Sequence, residues 1–392
     1  MAIRLQPTTG DGIPTLLVLA RDLRLIELAH TVAEDLRTRP PVVVPDGHEA
    51  LARLFGVSTP PRHMICEAAA AGEHLPTLLA AAADPFSPTG IVLIQEEGSP
   101  TPPAGVAVAA PRPHVVAQAL RRLAAEKLQV PTDDPRELER GLERGEITVR
   151  YQPVFRIADQ RPVLLEGLAR WQRRDDTPLS PDAFVPLAER SGQTRALSLA
   201  VARAAFNELA PAPMRIGAAL SLNLPLDVLL QRDVLGALRR LQQTSGFPPS
   251  ALVLELTETT PVRDRSALRQ ALLRLQAAGH PVLIDDMGLE EDRAQLIELP
   301  FAGIKLDRHL VGAMPGSRRA RAEVERLITL AHNRHMTVTA EGVSDSRLWR
   351  AVARAGADNA QGYAIGRPLP AQVLPAWVAA RRAGARLARR PA

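Results

Sequence analysis

Two carboxylates, Asp285 and Asp286, stand side by side directly after the short apolar run Pro281–Ile284. A second apolar run, Ala302–Leu306, carries Lys305 in an otherwise uncharged setting. Each run is brief, branched and bounded by breakers, which is the pattern of a buried strand. Charge at the end of a buried strand is costly unless it is paired or bound to a metal. Adjacent carboxylates repel, and a divalent cation relieves the repulsion. The alternative is a helix cap, a position that Asp fills well. Both readings fit the stretch. Lysine sharpens the question: of 48 basic residues only Lys127 and Lys305 are lysine. Its appearance inside an apolar strand pattern points to a need for a compact ammonium whose pKa can shift, which guanidinium cannot supply.

The elements that must position these groups begin after the breaker-rich stretch Gln129–Pro135, where Asp134 is placed to cap a helix that opens on Pro135. The helix Arg136–Glu143 leads into a βα rhythm. Strands are expected at Ile147–Val154, Val163–Leu168, Ile216–Asn223, Leu252–Leu256, Val282–Ile284, Gly303–Leu306, Thr337–Ala340 and Ala360–Ile365. Helical patterns separate most of them, at Pro181–Arg190, Ala196–Leu209, Asp227–Gln242, Ser266–Ala278, Arg319–Arg334 and Ser346–Ala355. Eight strands in about 250 residues predict a (β/α)8 barrel. Glu166, Asn223, Glu255, Asp285, Asp286, Lys305, Glu341 and Gln361 all fall at or near the C-terminal ends of these strands. A barrel gathers such ends into one mouth, where barrel enzymes keep their active sites. Singly, each could be a cap or a loop residue. Together they predict a cavity rich in hard oxygen donors, suited to Mg²⁺, Mn²⁺ or Ca²⁺ rather than zinc.

The first 130 residues alternate in the same way. Strands are expected at Thr15–Ala20, Pro41–Val44, His63–Cys66, Ile91–Gln95 and Gly105–Ala109, with helices at Ile26–Leu36, His48–Phe55, Leu75–Ala83 and His114–Lys127. The pattern predicts a doubly wound parallel α/β sheet. Its length and order resemble a bacterial response-regulator receiver domain. Receiver chemistry needs an acid cluster after the first strand, an aspartate ending the third, a hydroxyl ending the fourth and a lysine on the fifth. Those regions read Ala20-Arg21-Asp22, Cys66-Glu67, Ile94-Gln95 and Pro111-Arg112-Pro113. Only Asp22 suits, so the module is expected not to take up phosphate and to serve dimerisation or docking.

Residues 135–375 resemble an EAL domain, the cyclic di-GMP phosphodiesterase family. The segments that carry the likeness are Tyr151-Gln152-Pro153-Val154, Glu166-Gly167-Leu168-Ala169-Arg170-Trp171 (the signature, with Gly for Ala) and Ser221-Leu222-Asn223. They continue with Glu255-Leu256-Thr257-Glu258, Asp285-Asp286, Lys305-Leu306-Asp307, Ala340-Glu341-Gly342-Val343 and Gln361-Gly362-Tyr363 ahead of Pro368. The resemblance implies an N-terminal receiver-like domain (1–128), a linker (129–134), a TIM-like EAL barrel (135–380) and an Arg-rich tail (381–392). It also implies two-metal hydrolysis of cyclic di-GMP to linear pGpG. Glu166, Asn223, Glu255, Asp285, Asp286 and Glu341 would hold Mg²⁺ or Mn²⁺, with Ca²⁺ inhibitory. Lys305, Glu166 and Glu258 would be catalytic, Lys305 by contacting or deprotonating the attacking water. Gln152, Leu168, Arg170, Asp307, Gln361 and Pro368 would bind substrate, Arg170 through a phosphate oxygen and Gln361 by orienting the water or ligand.

One stretch departs from the family. Its members usually continue after the aspartate pair with Phe-Gly-Thr-Gly-Tyr-Ser-Ser-Leu, whereas this chain reads Met287-Gly288-Leu289-Glu290-Glu291-Asp292-Arg293. Added negative charge there opposes an anionic ligand. Three readings therefore stand: an active or weakened phosphodiesterase; a silent cyclic di-GMP receptor; and an interaction protein without nucleotide binding. A homodimer through either domain is expected.

Composition bounds the rest. The 392 residues are 46% hydrophobic and 23% charged, ordinary for a globular chain of two domains. No run is long enough for a membrane span, and the start MAIRLQPTTGDGIP lacks the regions of a signal peptide, so a cytoplasmic location is expected. A single cysteine, Cys66, excludes an internal disulfide. The net charge of +5 includes Arg381, Arg382, Arg386, Arg389 and Arg390 near the end. With so few aromatics for base stacking, DNA binding is not expected.

Overall fold

The computed structural model describes residues 15–55, 61–84, 86–87, 89–94, 106–125, 132–173, 178–210, 216–257, 262–288 and 295–379. The chain divides into two compact units, Val130–Ala371 on one side and Met1–Gln129 with Gln372–Ala392 on the other.

The first unit is built on five parallel strands: β1 (Leu16–Leu19), β2 (Val42–Val44), β3 (His63–Glu67), β4 (Gly90–Ile94) and β5 (Val106–Ala109), in the order β2-β1-β3-β4-β5. The central strands are nearly all apolar because helices cover both faces of a parallel sheet. Val18, Ile65 and Val92 pack with Leu28 and Val32 of the helix Leu23–Asp35 and with Val116 and Leu120 of the helix Pro113–Ala125. Asp22 caps the first of these helices through the amide of Arg24. At the end of β3 the Glu67 carboxylate turns back and accepts from the amides of Arg21 (2.7 Å) and Asp22 (3.3 Å).

The second unit is a closed eight-stranded barrel. Its staves are β6 (Ile147–Arg156), β7 (Pro162–Trp171), β8 (Ala219–Pro225), β9 (Leu252–Thr257), β10 (Val282–Met287), β11 (Gly303–Leu306), β12 (Thr337–Ala340) and β13 (Asn359–Gln361). All staves but one run parallel. β6 lies antiparallel to both β7 and β13, which corrects the uniform (β/α)8 alternation read from the sequence. The cause is the connection between β6 and β7, residues 157–161, far shorter than the dozen or so residues a parallel crossover needs.

Other boundaries shift for local reasons. Ile216 lies in a helical turn, so β8 starts at Ala219 rather than Ile216. The helix expected over Asp227–Gln242 is two, Leu226–Leu229 and Val234–Ser245. The last strand stops at Gln361 instead of running to Ile365. Gly362 has φ +150°, and a Cβ there would lie 2.4 Å from backbone atoms of Val343, so only glycine permits this turn. β7 extends to Trp171, whose indole donates to Glu146 (3.1 Å) and covers Gly141 of the helix Pro135–Glu143. Asp134 caps that helix with Pro135 in its first turn, as the sequence predicts.

Candidate functional site

Side chains alternate across a strand, so Glu166, Leu168 and Arg170 share one side of β7. The adjoining staves add Asn223 on β8, Glu255 on β9, Asp285 on β10, Lys305 on β11 and Gln361 on β13, with Glu341 immediately after β12. Register ties several of them directly: Gln152 is paired with Glu166, Asn223 with Glu255, and Gln361 with Val154.

Asp286 follows Asp285 directly and in a regular strand would face the opposite way. The register between β10 and β11 slips between Ile284 and Met287, and Asp286 takes φ +51°. Asp and Asn tolerate this left-handed conformation better than most residues. The irregularity lets both aspartates join one acidic cluster. Carboxylate oxygens of Asp285, Asp286 and Glu341 lie within 4.8 Å of one another, as do those of Glu166, Glu255 and Asp285.

Lys305 stands at the centre and is almost wholly buried. Its Nζ is 2.6 Å from Glu341, 2.7 Å from Glu255, 2.9 Å from Asp285 and 3.5 Å from Glu166. Burial alone would lower its pKa, but the four carboxylates outweigh burial and hold the ammonium well above the ordinary amine value. Lys305 is thus a cation and a hydrogen-bond donor here.

The carboxylates differ among themselves. Burial pushes Glu255 up, Lys305 opposes it, and repulsion from Glu166 and Asp285 reinforces it, leaving the carboxyl at about 8. Glu341 is raised well above the usual carboxylate range by the same burial, again opposed by Lys305 and reinforced by Asp285 and Glu166. Glu166 behaves in the opposite way. Burial is outweighed by Lys305 and by hydrogen bonds from Gln361 and Asn223, so its carboxyl is held below the usual range.

The amides complete the inner shell. Asn223 donates to Glu166 at 3.2 Å, and Gln361 donates to the other oxygen of the same carboxylate. Gln361 also donates to Gln152 at 3.2 Å, and Gln152 donates to the carbonyl of Gly366 at 3.2 Å. Three buried oxygens of this shell have no hydrogen-bond partner: Asn223 Oδ1, Glu255 Oε1 and Gln361 Oε1. A buried polar atom left unpaired costs on the order of 1–3 kcal/mol, and hard oxygen donors of this kind suit a divalent cation. The donor set fits the cations the sequence implies.

The remaining predicted residues fall as follows. Leu168 and Arg170 are half-buried on the same side of β7 as Glu166, and the Arg170 guanidinium donates to its own strand at Ala169 (2.7 Å). Asp307 caps the helix Arg308–Ala313 by accepting from the amides of His309 and Leu310. Pro368 is half-buried, one residue before Leu369, which bridges to Tyr151. Glu258, the run from Leu289 to Arg293 and the Arg-rich tail lie outside the described residues. The glycine in the signature also has a cause, since a Cβ at Gly167 would lie 2.6 Å from Leu222 Cδ2. Sequence reasoning missed Arg367, whose guanidinium stacks 3.9 Å over the Tyr363 ring in the turn after Gln361. Its one signal was the cation beside Pro368.

Residues 135–368 match the family described as EAL domain. An uncharacterized signaling protein of Caulobacter vibrioides is 34% identical over 256 residues, covering 64% of this chain and 31% of its own. A cyclic di-GMP phosphodiesterase of Pseudomonas aeruginosa is 33% identical over 230 residues, covering 58% and 39%. The chain spans about a third of the length of the curated relatives it matches. Among solved structures, a PaMucR phosphodiesterase in complex with c-di-GMP superposes with a TM-score of 0.56 at 27% identity, covering 61% of this chain and 98% of the other. The FimX EAL domain of Pseudomonas aeruginosa, solved bound to c-di-GMP, shares the fold, with a TM-score of 0.54 at 20% identity over 59% of this chain and 94% of the other.

Proposed function

The chain belongs to the EAL domain family, and from that premise we propose that it hydrolyses cyclic di-GMP to linear pGpG. The observation that carries the reading is the charge balance of the barrel mouth. Glu166, Glu255, Asp285, Asp286 and Glu341 with Lys305 sum formally to −5 + 1 = −4, which two divalent cations would cancel. With its carboxyls ionised, that mouth would oppose an anionic dinucleotide unless cations offset the charge. Glu166, Asn223, Glu255 and Asp285 would hold one cation, and Asp285, Asp286 and Glu341 the second. Bound Mg²⁺ or Mn²⁺ would neutralise phosphate charge and make water acidic enough to attack at neutral pH.

The chain's own groups do the rest. Asn223 and Gln361 hold Glu166 ionised and oriented. Lys305 keeps its proton and donates from Nζ to the water or to a phosphate oxygen. Arg170 is the partner for a phosphate oxygen. The water oxygen would form the new bond to phosphorus as the bond to a ribose 3′ oxygen breaks, and the proton the water gives up balances the one that the leaving 3′ oxygen gains.

The first unit is read as a receiver-like module that takes up no phosphate. Its strand order supports this, as does Glu67, which fills the amides of Arg21 and Asp22 where a phospho-acceptor would need room. Dimerisation through this unit or the barrel, and the division 1–128, 129–134, 135–380 with an Arg-rich tail, belong to the same proposal. Among the described residues no helix is long and apolar enough to cross a membrane. The test is hydrolysis by the full chain with Mg²⁺ or Mn²⁺. Turnover to pGpG that Ca²⁺ suppresses and Glu166→Ala abolishes supports the reading. Tight binding without turnover would instead favour a silent receptor, the alternative raised by the acidic run Glu290–Asp292.

A further inference from the structure

Gln361 has only one way to stand. Its Nε2 donates to Glu166 and to Gln152 Oε1, so both of its N–H bonds are used, while its Oε1 is buried and without a partner. Reversing the amide would set Oε1 against a carboxylate and a second amide oxygen. Gln152 is fixed in turn from its far side, because the Gly366 carbonyl can only accept and the Gln152 NH₂ must face it. The two amides therefore form a chain with an acceptor at each end. The bond between the two amides joins residues 209 apart in sequence, and the chain ties the turn after β13 to the carboxylate on β7.

We infer that Gln152 is a positioning residue that acts through Gln361 rather than on the substrate. It fixes the Gln361 amide so that Oε1 points into the cavity as an acceptor for an O–H or N–H of the reacting partner. This rests on the hydrolase reading above and goes beyond it by reassigning Gln152 from ligand contact to orientation of another side chain. The chain also links the turn that carries Tyr363, Arg367 and Pro368 to Glu166, so the turn's position and the carboxylate's are set together.

The experiment is a double-mutant cycle on the full chain: Gln152→Met, Gln361→Met and the pair, with kcat and KM measured for cyclic di-GMP in Mn²⁺. Methionine keeps the length of the side chain and the packing of β6, and circular dichroism checks the fold of each variant. Leaving one buried N–H unpaired predicts a fall in kcat of about tenfold for Gln152→Met with KM unchanged. In the Gln361→Met background the second substitution adds nothing. A rise in KM at constant kcat, or effects that multiply in the double variant, would overturn the inference. Wild-type turnover tests the hydrolase reading separately. If the wild type is inactive, a crystal structure of Gln152→Met decides the inference alone: Gln361 displaced from Glu166 supports it, and Gln361 unmoved refutes it.

Discussion

Stability of the cation-free protein should fall as pH rises through neutrality, and Glu255 is the main cause. Its carboxyl stands at about 8 in the folded barrel against 4.5 for an ordinary glutamate. The folded state therefore binds the proton more tightly than the unfolded state. Stability from this group is complete below about pH 4.5 and is lost as pH passes through 8. At ~1.36 kcal/mol per pH unit, the loss between pH 5 and pH 8 is on the order of 3–4 kcal/mol. Glu341 is shifted the same way and adds to it. Glu166 is shifted the other way, and its effect lies below pH 4.5, while that of Lys305 lies above 10.5. With a urea m-value of about 2–3 kcal/mol/M, the midpoint should drop by roughly 1–2 M. Urea unfolding in chelator, followed by the fluorescence of Trp171 and Trp349 in the barrel, measures it. Glu255→Gln should flatten the profile. Mn²⁺ should do the same in the wild type, because cation binding displaces the proton. A midpoint that is level or rises from pH 5 to 8, or an equal fall in Glu255→Gln, would refute the reasoning.

Two further outcomes follow from single contacts. Asp286→Gly relieves the left-handed backbone while Asp286→Ala does not. Both should lose divalent-dependent turnover alike, yet thermal unfolding should find the glycine variant more stable by roughly 1 kcal/mol. Trp171→Phe removes the bond to Glu146 and opens space over Gly141, so calorimetry should register destabilisation on the order of 2–3 kcal/mol. Values near zero for Trp171→Phe would mean that the helix Pro135–Glu143 is not fastened there.

Much of this was legible in the sequence because buried parallel strands write themselves as short apolar runs between breakers. The runs around Leu283 and Ile304, and the oxygen donors that end them, are of that kind. What stayed hidden depends on three-dimensional closure. The antiparallel course of β6 is legible only from the brevity of residues 157–161. The turn of Asp286 toward the mouth is a backbone event that no side-chain pattern announces. Gln152 and Gln361 lie at opposite ends of the barrel sequence, and only the meeting of β6 with β13 brings them together. Asp307 caps the helix Arg308–Ala313 through one carboxylate oxygen, a contact that its place after a short apolar run does not announce. Lys305 is singled out by its rarity, but its four carboxylate partners, three on other staves and Glu341 just after β12, could not be counted beforehand.

The central claim is that the oxygen donors of the barrel mouth hold divalent cations. Anomalous diffraction from crystals soaked in Mn²⁺ tests it directly. The account predicts one peak bounded by Glu166, Asn223, Glu255 and Asp285, and a second among Asp285, Asp286 and Glu341. A mouth without manganese, with Lys305 still bonded to all four carboxylates, would contradict it.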